Sequence, residues 1–171
     1  MKIFVKRESW PKFLIKMAIV FALIYTAGIA FASRYRIGID SQIVKCIPGY
    51  SLYLIDKKDT TIQRDKIFLF KAKGLNPFYE DDTDMVKYLR GLPGDTVEIQ
   101  KNLNIYVNGN YFGYGLVHAE TLGTPKESLI GKSKLKKDSY WFMGTSNQSF
   151  DSRYWGTVKY DQIVGRAYPL L

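Results

Sequence analysis

Residues 85–99 read MVKYLRGLPGDTVEI, two apolar runs joined by a short turn. Both runs are rich in β-branched, aromatic or other apolar residues, as is typical of β-strands. The turn contains Pro93 and Gly94, residue types that interrupt regular structure. In the first run, the two-residue period of a strand puts Lys87 on the opposite face from Val86 and Tyr88. This stretch therefore predicts two consecutive strands and a domain built from β-sheets.

The same pattern recurs along most of the chain after residue 49. Further short runs of this kind begin at Tyr50, Lys66, Asn104, Tyr140 and Ile163. The dipeptide Asn108-Gly109 separates two such runs and predicts a hairpin with a type I′ turn. Residues 115–137 are less regular and predict a surface loop or a short helix. We therefore expect one all-β domain, a barrel or a sandwich, over residues 34–171.

The N-terminal part of the chain has a different composition. Residues 17–32 carry no charge, and with the apolar residues 13–15 they reach about the 20 residues that a membrane-spanning helix needs. Five basic residues and one acid precede this run, whereas two basic residues follow it closely, so the positive-inside rule places the N-terminus in the cytoplasm. We predict three segments: a basic cytoplasmic segment (1–12), a transmembrane anchor (13–33) and an extracytoplasmic domain (34–171).

A cleaved signal peptide is the alternative to a retained anchor. Residues 30–32 read Ala-Phe-Ala, which has the small-x-small form of a cleavage site. The apolar run is longer than the central region of most signal peptides. The sequence therefore favours a single-pass membrane protein.

The composition excludes several kinds of site. The chain has one cysteine, Cys46, and one histidine, His118, so an intrachain disulfide and a zinc site of clustered thiolates or paired imidazoles are excluded. We expect no metal and no cofactor. The net charge of +9 suits an anionic membrane surface, but no basic run is interleaved with stacking aromatic residues. We therefore expect a lipid bilayer as a partner and no nucleic acid.

Two further clusters accompany residues 85–99. Residues 45–55 read KCIPGYSLYLI, and residues 142–158 read FMGTSNQSFDSRYWGTV. Together the three clusters resemble the type I signal peptidase family, and the Cys-Ile-Pro segment is most similar to its conjugative-transfer (TraF-type) pilin peptidases. The resemblance implies a β-rich catalytic domain behind one membrane anchor. It also implies an endopeptidase that cleaves a secretory or pilin precursor at the outer face of the inner membrane.

The resemblance implies that Lys87 is the general base. Family members carry a lysine four residues before Gly-Leu-Pro-Gly-Asp, and Lys87 lies four residues before Gly91. Apolar neighbours would disfavour the charged form of the amine and so keep it neutral, as a general base must be. The strand pattern alone would instead favour a lysine that faces solvent.

Cys46 occupies the position of the family's serine nucleophile, which precedes a hydrophobic residue and a proline. A thiol loses its proton more readily than an alcohol, so a neutral lysine can activate it. Three interpretations remain open: Cys46 is the nucleophile, Ser41 or Ser51 has replaced it, or Cys46 only packs in an inactive relative. An inactive chain would be a membrane-anchored β domain that binds a component of a pilus or secretion assembly.

The third cluster matches the family's S-x-D-S-R-Y-W-G box. The resemblance implies that Ser149 hydrogen-bonds the lysine amine, and that Asp151 and Arg153 brace the site as a buried ion pair. The family usually has Met-Gly-Asp-Asn before this box, where this chain has MGTSNQ. We expect the backbone N–H of Cys46 to stabilise the oxyanion and an extended substrate to pair with a strand edge. The sequence does not separate hydrolysis from cyclisation of a pilin by its own amino terminus.

Overall fold

The computed structural model describes residues 9–171, which divide into two compact units at residue 35. The first contains helix α1, Trp10–Arg34. Pro11 lies in its first turn, where a backbone N–H would have no hydrogen-bond partner within the helix, so proline is tolerated there. Among the described residues, α1 alone is long and apolar enough to cross a membrane by length and composition, with a mean hydropathy of 2.1. It covers the whole predicted anchor. Most of the predicted basic segment, residues 1–8, lies outside the described residues.

The chain after α1 forms strands and two short helices. The strands are β1 (Tyr35–Ile39), β2 (Leu52–Asp56), β3 (Ile67–Lys71), β4 (Asp84–Gly91), β5 (Thr96–Ile99), β6 (Asn104–Val107), β7 (Asn110–Tyr114), β8 (Gly131–Lys134), β9 (Trp141–Met143) and β10 (Ile163–Pro169). The helices are α2 (Lys126–Leu129) and α3 (Ser152–Trp155), and a 3₁₀ turn spans Tyr160–Gln162.

These strands form two antiparallel sheets. The first has six strands in the order β1-β2-β10-β3-β4-β9, and the second has four in the order β7-β6-β5-β8. Both sheets are open in the described part of the chain, so the all-β class is confirmed while a closed barrel is not formed. One apolar cluster joins the second sheet to strand β9 of the first, and the other two lie in the first sheet.

Two strands were not predicted. β8, with the sequence GKSK, is exposed along its whole length, and β1 is mostly exposed. β8 belongs to the second sheet because it pairs with β5. It is therefore held by backbone hydrogen bonds and not by the burial of its side chains. The prediction for residues 115–137 was right about a short helix, α2, and wrong in having no strand there.

The predicted hairpin is confirmed. Asn108 and Gly109 have φ values of 50° and 79°, and a type I′ turn needs positive φ at both central positions. The turn joins β6 to β7, with Val107 opposite Asn110.

The GLPGD segment carries the chain from the first sheet into the second. A Cβ at Gly91 would lie 2.8 Å from side-chain atoms of both Leu135 and Trp141. Gly94 has a φ of +90°, a conformation that L side chains rarely adopt. The Asp95 carboxylate accepts hydrogen bonds from the Leu92 N–H and from Asn108, at 2.7 Å. These residues therefore build the turn itself.

Candidate active site

Cys46 and Lys87 line one cavity of about 300 Å³. Its walls come mainly from β1, β2, the first half of β4 and residues 40–42. Ser41 lines it as well, whereas Ser51 and Ser149 are not among the described residues that do. The fold thus brings the only thiol and the predicted base to one site.

Lys87 is buried within β4. Its exposed fraction is 5%, and it lies opposite Phe68 of β3 in the sheet register. On its face of the strand, Met85 and Leu89 are buried too. Its amine forms no hydrogen bond or ion pair with any residue in the described range 9–171. Lys87 is therefore a buried amine without a counter-ion there, and not a solvent-facing lysine.

Cys46 lies in the irregular segment between β1 and β2 and is 9% exposed. Its thiol donates to the Gln42 Oε1, with Sγ and Oε1 3.6 Å apart. Its carbonyl oxygen accepts from the N–H groups of Thr145, at 2.9 Å, and Ser146, at 3.2 Å. Its own N–H donates to no residue that the structure describes. This is the donor that the predicted oxyanion role requires.

Residues 144–146, which we call the clamp, hold the backbone of Cys46. Besides the two N–H donors, the clamp contains Gly144, which packs tightly against the Cys46 carbonyl oxygen. A Cβ at Gly144 would clash with that oxygen and would lie 2.7 Å from the Cβ of Ser149. The third sequence cluster therefore positions the thiol by direct backbone contact.

A buried ion pair supports the clamp from behind. The Arg153 Nε and Nη2 donate to the Asp151 Oδ1 and Oδ2 at 2.7 and 2.8 Å. Burial alone would lower the pKa of Arg153, but the hydrogen bonds and charge of Asp151 outweigh it and raise that pKa. Arg153 also donates to the carbonyls of Ser146 and Ser149, and Asp151 accepts from the Gly144 N–H at 3.0 Å. The predicted ion pair is present, and it organises the clamp through backbone groups.

Ser149 is fully buried, but not in the predicted contact. Its hydroxyl has no hydrogen-bond partner within the described residues, so the bond to the Lys87 amine is not formed in this structure. Its backbone N–H donates to the Ser146 carbonyl at 3.1 Å. In this structure Ser149 contributes to the turn that follows the clamp.

Two strands line the cavity with unpaired edges. β1 is the outermost strand of its sheet. β9 pairs with β4 only from Tyr88 onwards, so one edge of β4 is unpaired from Asp84 to Lys87 within the described strands. Both stretches line the cavity, and an ion pair joins Arg36 of β1 to Asp84 of β4. Unpaired strand edges can accept an extended peptide as an added strand.

The cavity residues that sequence reasoning missed include Gln42, Tyr53 and Tyr79. Burial, assisted by the charge of Asp40, raises the pKa of Tyr53 to about 12. Burial also raises the pKa of Tyr79, and a hydrogen bond with Gln42 opposes that rise. The one available signal was the position of Gln42, a polar residue four places before the cysteine.

The sequence profile described as "Signal peptidase, peptidase S26" matches residues 10–171. This chain belongs to that family. Signal peptidase IB of Staphylococcus aureus is 28% identical over 181 residues, covering 94% of this chain and 88% of the relative. Probable signal peptidase I-2 of Synechocystis is 34% identical over 84 residues, covering 48% of this chain and 36% of the relative. Signal peptidase I P of Bacillus subtilis subsp. natto is 42% identical over 80 residues, covering 43% of this chain and 42% of the relative.

Among solved structures, a signal peptidase I from Enterococcus faecalis V583 is similar to this chain. It is 26% identical and covers 61% of this chain and 95% of its own, with a TM-score of 0.39. The alignments with the Synechocystis and Bacillus proteins span less than half of each relative. The predicted family and the peptidase class are confirmed by the family match. The apolar helix α1, together with the Staphylococcus relative, indicates a membrane-anchored member of this family.

This chain forms the clamp contacts with MGTSNQ in place of the family's usual Met-Gly-Asp-Asn. The N–H groups of Gly144, Thr145 and Ser146 make the contacts to Asp151 and Cys46. Backbone donors are present whatever side chain follows, so the changed residues need not alter the geometry. No group of three or more His, Cys, Asp or Glu residues that could hold a metal occurs in residues 9–171.

Proposed function

We propose that this signal peptidase is an endopeptidase that cleaves precursor proteins with a thiol–lysine dyad formed by Cys46 and Lys87. The observation that carries the proposal is the cavity shared by the only thiol and a buried, unpaired lysine. Such a pair supplies a nucleophile and a base without a third residue. Ser41 also lines the cavity and is the remaining hydroxyl alternative.

The proposed reaction proceeds in two stages. The Cys46 proton passes to the Lys87 Nζ, and the sulfur bonds to the scissile carbonyl carbon, which places a negative charge on the carbonyl oxygen. The Cys46 N–H donates to this oxyanion. The C–N bond then breaks, and the leaving amine takes the proton from Lys87. Water attacks the resulting thioester with Lys87 as base, which releases the acid and restores the thiol.

We propose that the substrate is a signal-peptide-bearing precursor bound as an extended strand. The unpaired edges of β1 and of Asp84–Lys87 in β4 support this mode, because both border the cavity that contains the thiol. Backbone hydrogen bonds would supply affinity, and the cavity would select side chains on one face of the peptide. Val86 lines the cavity, whereas Ile47 is buried in the apolar core.

The membrane arrangement is part of the same proposal. The basic residues before α1 support a cytoplasmic N-terminus and a catalytic domain outside the inner membrane. An anchored enzyme and an anchored precursor are confined to one thin layer, which raises their effective concentration. The intact chain is expected to stay with membranes after carbonate washing, and a soluble form beginning near Ser33 would contradict the retained anchor.

A pilin substrate is the narrower form of the proposal. Its support is the resemblance of the Cys-Ile-Pro segment to the conjugative-transfer branch. If the precursor's own amino terminus attacks the thioester in place of water, the product is cyclic and the thiol is restored in the same way. Mass spectrometry of the product separates the two outcomes, because the cyclic product weighs one water less.

Replacement of the thiol tests the proposal directly. Cys46→Ala is expected to lower precursor cleavage by about 10³-fold or more, with a loss of stability of at most about 1 kcal/mol. Cys46→Ser is expected to keep partial activity, since the alcohol is a weaker nucleophile in the same position. Iodoacetamide should inactivate the parent and spare Cys46→Ser.

The matched control is Ser41→Ala, which changes another side chain of the same cavity. This variant should cleave the precursor at the parent's rate. Full cleavage by Cys46→Ala would reject the thiol mechanism, and a loss in Ser41→Ala would assign the reaction to that hydroxyl. A folded parent that cleaves no precursor would favour a binding component of a secretion or pilus assembly.

A further inference from the structure

Gln42 is the residue whose polar side chain contacts the reacting sulfur in the described structure. Its Oε1 lies 3.6 Å from the Cys46 Sγ, and its side chain lines the same cavity. It lies four residues before Cys46, in the same irregular segment. A side-chain amide carries both an acceptor oxygen and two N–H donors, so it can serve a thiol and an oxyanion in turn.

Gln42 is held through its backbone and lies beside Tyr79 in the same cavity. Its backbone N–H donates to the Asp40 Oδ1 at 3.0 Å. Its Oε1 faces the thiol. Tyr79 lines the same cavity, and Gln42 opposes the rise in the Tyr79 pKa that burial causes.

The reaction needs a donor beyond the backbone. A tetrahedral oxyanion is stabilised by donors placed about 2.7–3.1 Å from it, commonly two of them. The Cys46 N–H is one such donor. Between Gln42 and Cys46, Ile43 and Val44 are apolar and exposed, and the Lys45 amine is engaged by the Asp40 carbonyl at 2.9 Å. Within residues 42–46, the remaining side-chain N–H is that of Gln42.

We propose that the side-chain amide of Gln42 is the second donor of the oxyanion hole, beside the Cys46 N–H. This inference rests on the thiol mechanism proposed above. When the thiol gives its proton to Lys87, the bond from Sγ to Oε1 is lost. Rotation of the amide about its last bond then turns Nε2 toward the site and Oε1 toward Tyr79. The N–H is thereby placed beside the sulfur, where the carbonyl oxygen becomes charged.

Tyr79 lines the same cavity as Gln42. A phenol hydroxyl both donates and accepts, so it suits either end of the amide.

The test compares Gln42→Ala with Gln42→Glu. Removal of one oxyanion donor lowers kcat by about 10²–10³-fold, and we expect a loss of this size in Gln42→Ala with little change in KM. Gln42→Glu keeps the shape but has no N–H and adds a negative charge, so its loss should be at least as large. Thermal denaturation should show both variants folded, since Gln42 is exposed. Gln63→Ala is the matched control, because Gln63 is an exposed glutamine outside the cavity lining.

Two thiol reagents distinguish a donor from a residue that only orients the sulfur. A peptide aldehyde adds to the thiol and forms a tetrahedral adduct, so its affinity should fall in Gln42→Ala in proportion to kcat/KM. Iodoacetamide alkylates the same sulfur without forming an oxyanion, so its rate should be unchanged. A parallel loss of alkylation and cleavage would overturn the proposal in favour of a structural role.

The remaining outcomes are equally decisive. Unchanged cleavage in Gln42→Ala, with Cys46→Ala inactive, would reject the role of Gln42 and leave the thiol mechanism intact. If Ser41→Ala loses cleavage while Gln42→Ala cleaves normally, the role of Gln42 is rejected, and an inactive Cys46→Ala then identifies Ser41 as a donor and not as the nucleophile. Normal cleavage by Cys46→Ala would reject the thiol mechanism itself.

Discussion

The two residues of the proposed dyad are held in different ways. Lys87 belongs to a regular strand, and the register between β3 and β4 places it opposite Phe68. Cys46 belongs to an irregular segment, and its carbonyl is held by Thr145 and Ser146, far along the chain. The base is thus positioned by secondary structure, whereas the nucleophile is positioned by a tertiary contact.

This difference predicts that Cys46 and Lys87 respond differently to nearby substitutions. Many backbone hydrogen bonds set the position of a strand within a six-stranded sheet, so single substitutions nearby should move Lys87 little. Cys46 depends on two such bonds, each contributing about 0.5–1.5 kcal/mol, and on the close fit of Gly144. Changes in the clamp should therefore act on the thiol more than on the lysine.

The largest effect is expected from removal of the base. Lys87→Met should lower precursor cleavage by about 10³-fold or more, the scale seen when a member of a catalytic group is lost. The fold should persist, because the change replaces a buried amine that has no described partner with an apolar chain of similar length. Lys87→Arg should not restore activity, since a guanidinium stays protonated.

Lys134→Met is the matched control for this prediction, because Lys134 is an exposed lysine on strand β8. It should cleave like the parent. Cleavage by Lys87→Met within about tenfold of the parent would end the assignment of Lys87 as the base.

An intermediate effect is expected from the clamp. Gly144→Ala introduces a Cβ against the Cys46 carbonyl and Ser149, and overpacking of this kind costs about 1–3 kcal/mol. Displacement of the thiol by about 1 Å lowers the rate by up to about 10²-fold. Urea denaturation and a precursor-cleavage assay measure the two effects.

Gly113→Ala provides the comparison, since a Cβ there meets only the Met143 Cε at an ordinary 3.6 Å. It should leave stability and cleavage nearly unchanged. If Gly144→Ala also cleaves normally, Cys46 does not depend on the clamp, and the contrast with Lys87 fails.

The smallest effect concerns the turn that ends β4. Burial alone would raise the pKa of Asp95, but hydrogen bonds from Arg64, the Leu92 N–H and Asn108 lower it. A lowered pKa stabilises the fold above the unfolded-state pKa of about 3.9, and this contribution is lost as pH falls through the lower folded-state pKa. The free energy of unfolding of Asp95→Asn should therefore depend less on pH in this acidic window than that of the parent.

Urea denaturation at neutral and acidic pH measures this change, with the exposed acid substitution Asp161→Asn as control. At neutral pH, Asp95→Asn should retain cleavage, because the register with β3 still holds Lys87. A large loss of cleavage in a folded Asp95→Asn protein would mean that the strand alone does not position the base.

The elements found from the sequence share a local signature. Apolar and β-branched runs identified most strands, and Asn108-Gly109 identified the hairpin because its turn type demands residues that accept positive φ. The missed elements lack such a signature. β8 has no buried residue, and helix α3 is a single turn capped by the Asp151 carboxylate. Their stability comes from partners elsewhere in the chain.

The residues of the candidate site also differ in whether a local sequence pattern identifies them. Cys46, Lys87 and the Asp151–Arg153 pair were named from motifs, and the structure brings the first two to one cavity and joins the other two in an ion pair. The clamp was not predicted, because its donors are backbone N–H groups that any residue supplies. The position of Gln42 beside the thiol was missed because an irregular segment has no period from which to infer direction.

By itself, the sequence determined the all-β class, the apolar helix and the family. Each follows from short-range patterns: a two-residue period, an uncharged run or a motif of fixed spacing. Only the tertiary structure decided how the Cys46 carbonyl is held, which polar group faces its sulfur, and that the Ser149 hydroxyl lacks a partner in the described chain. These depend on the approach of segments distant in sequence, and the packing of the whole domain sets that approach.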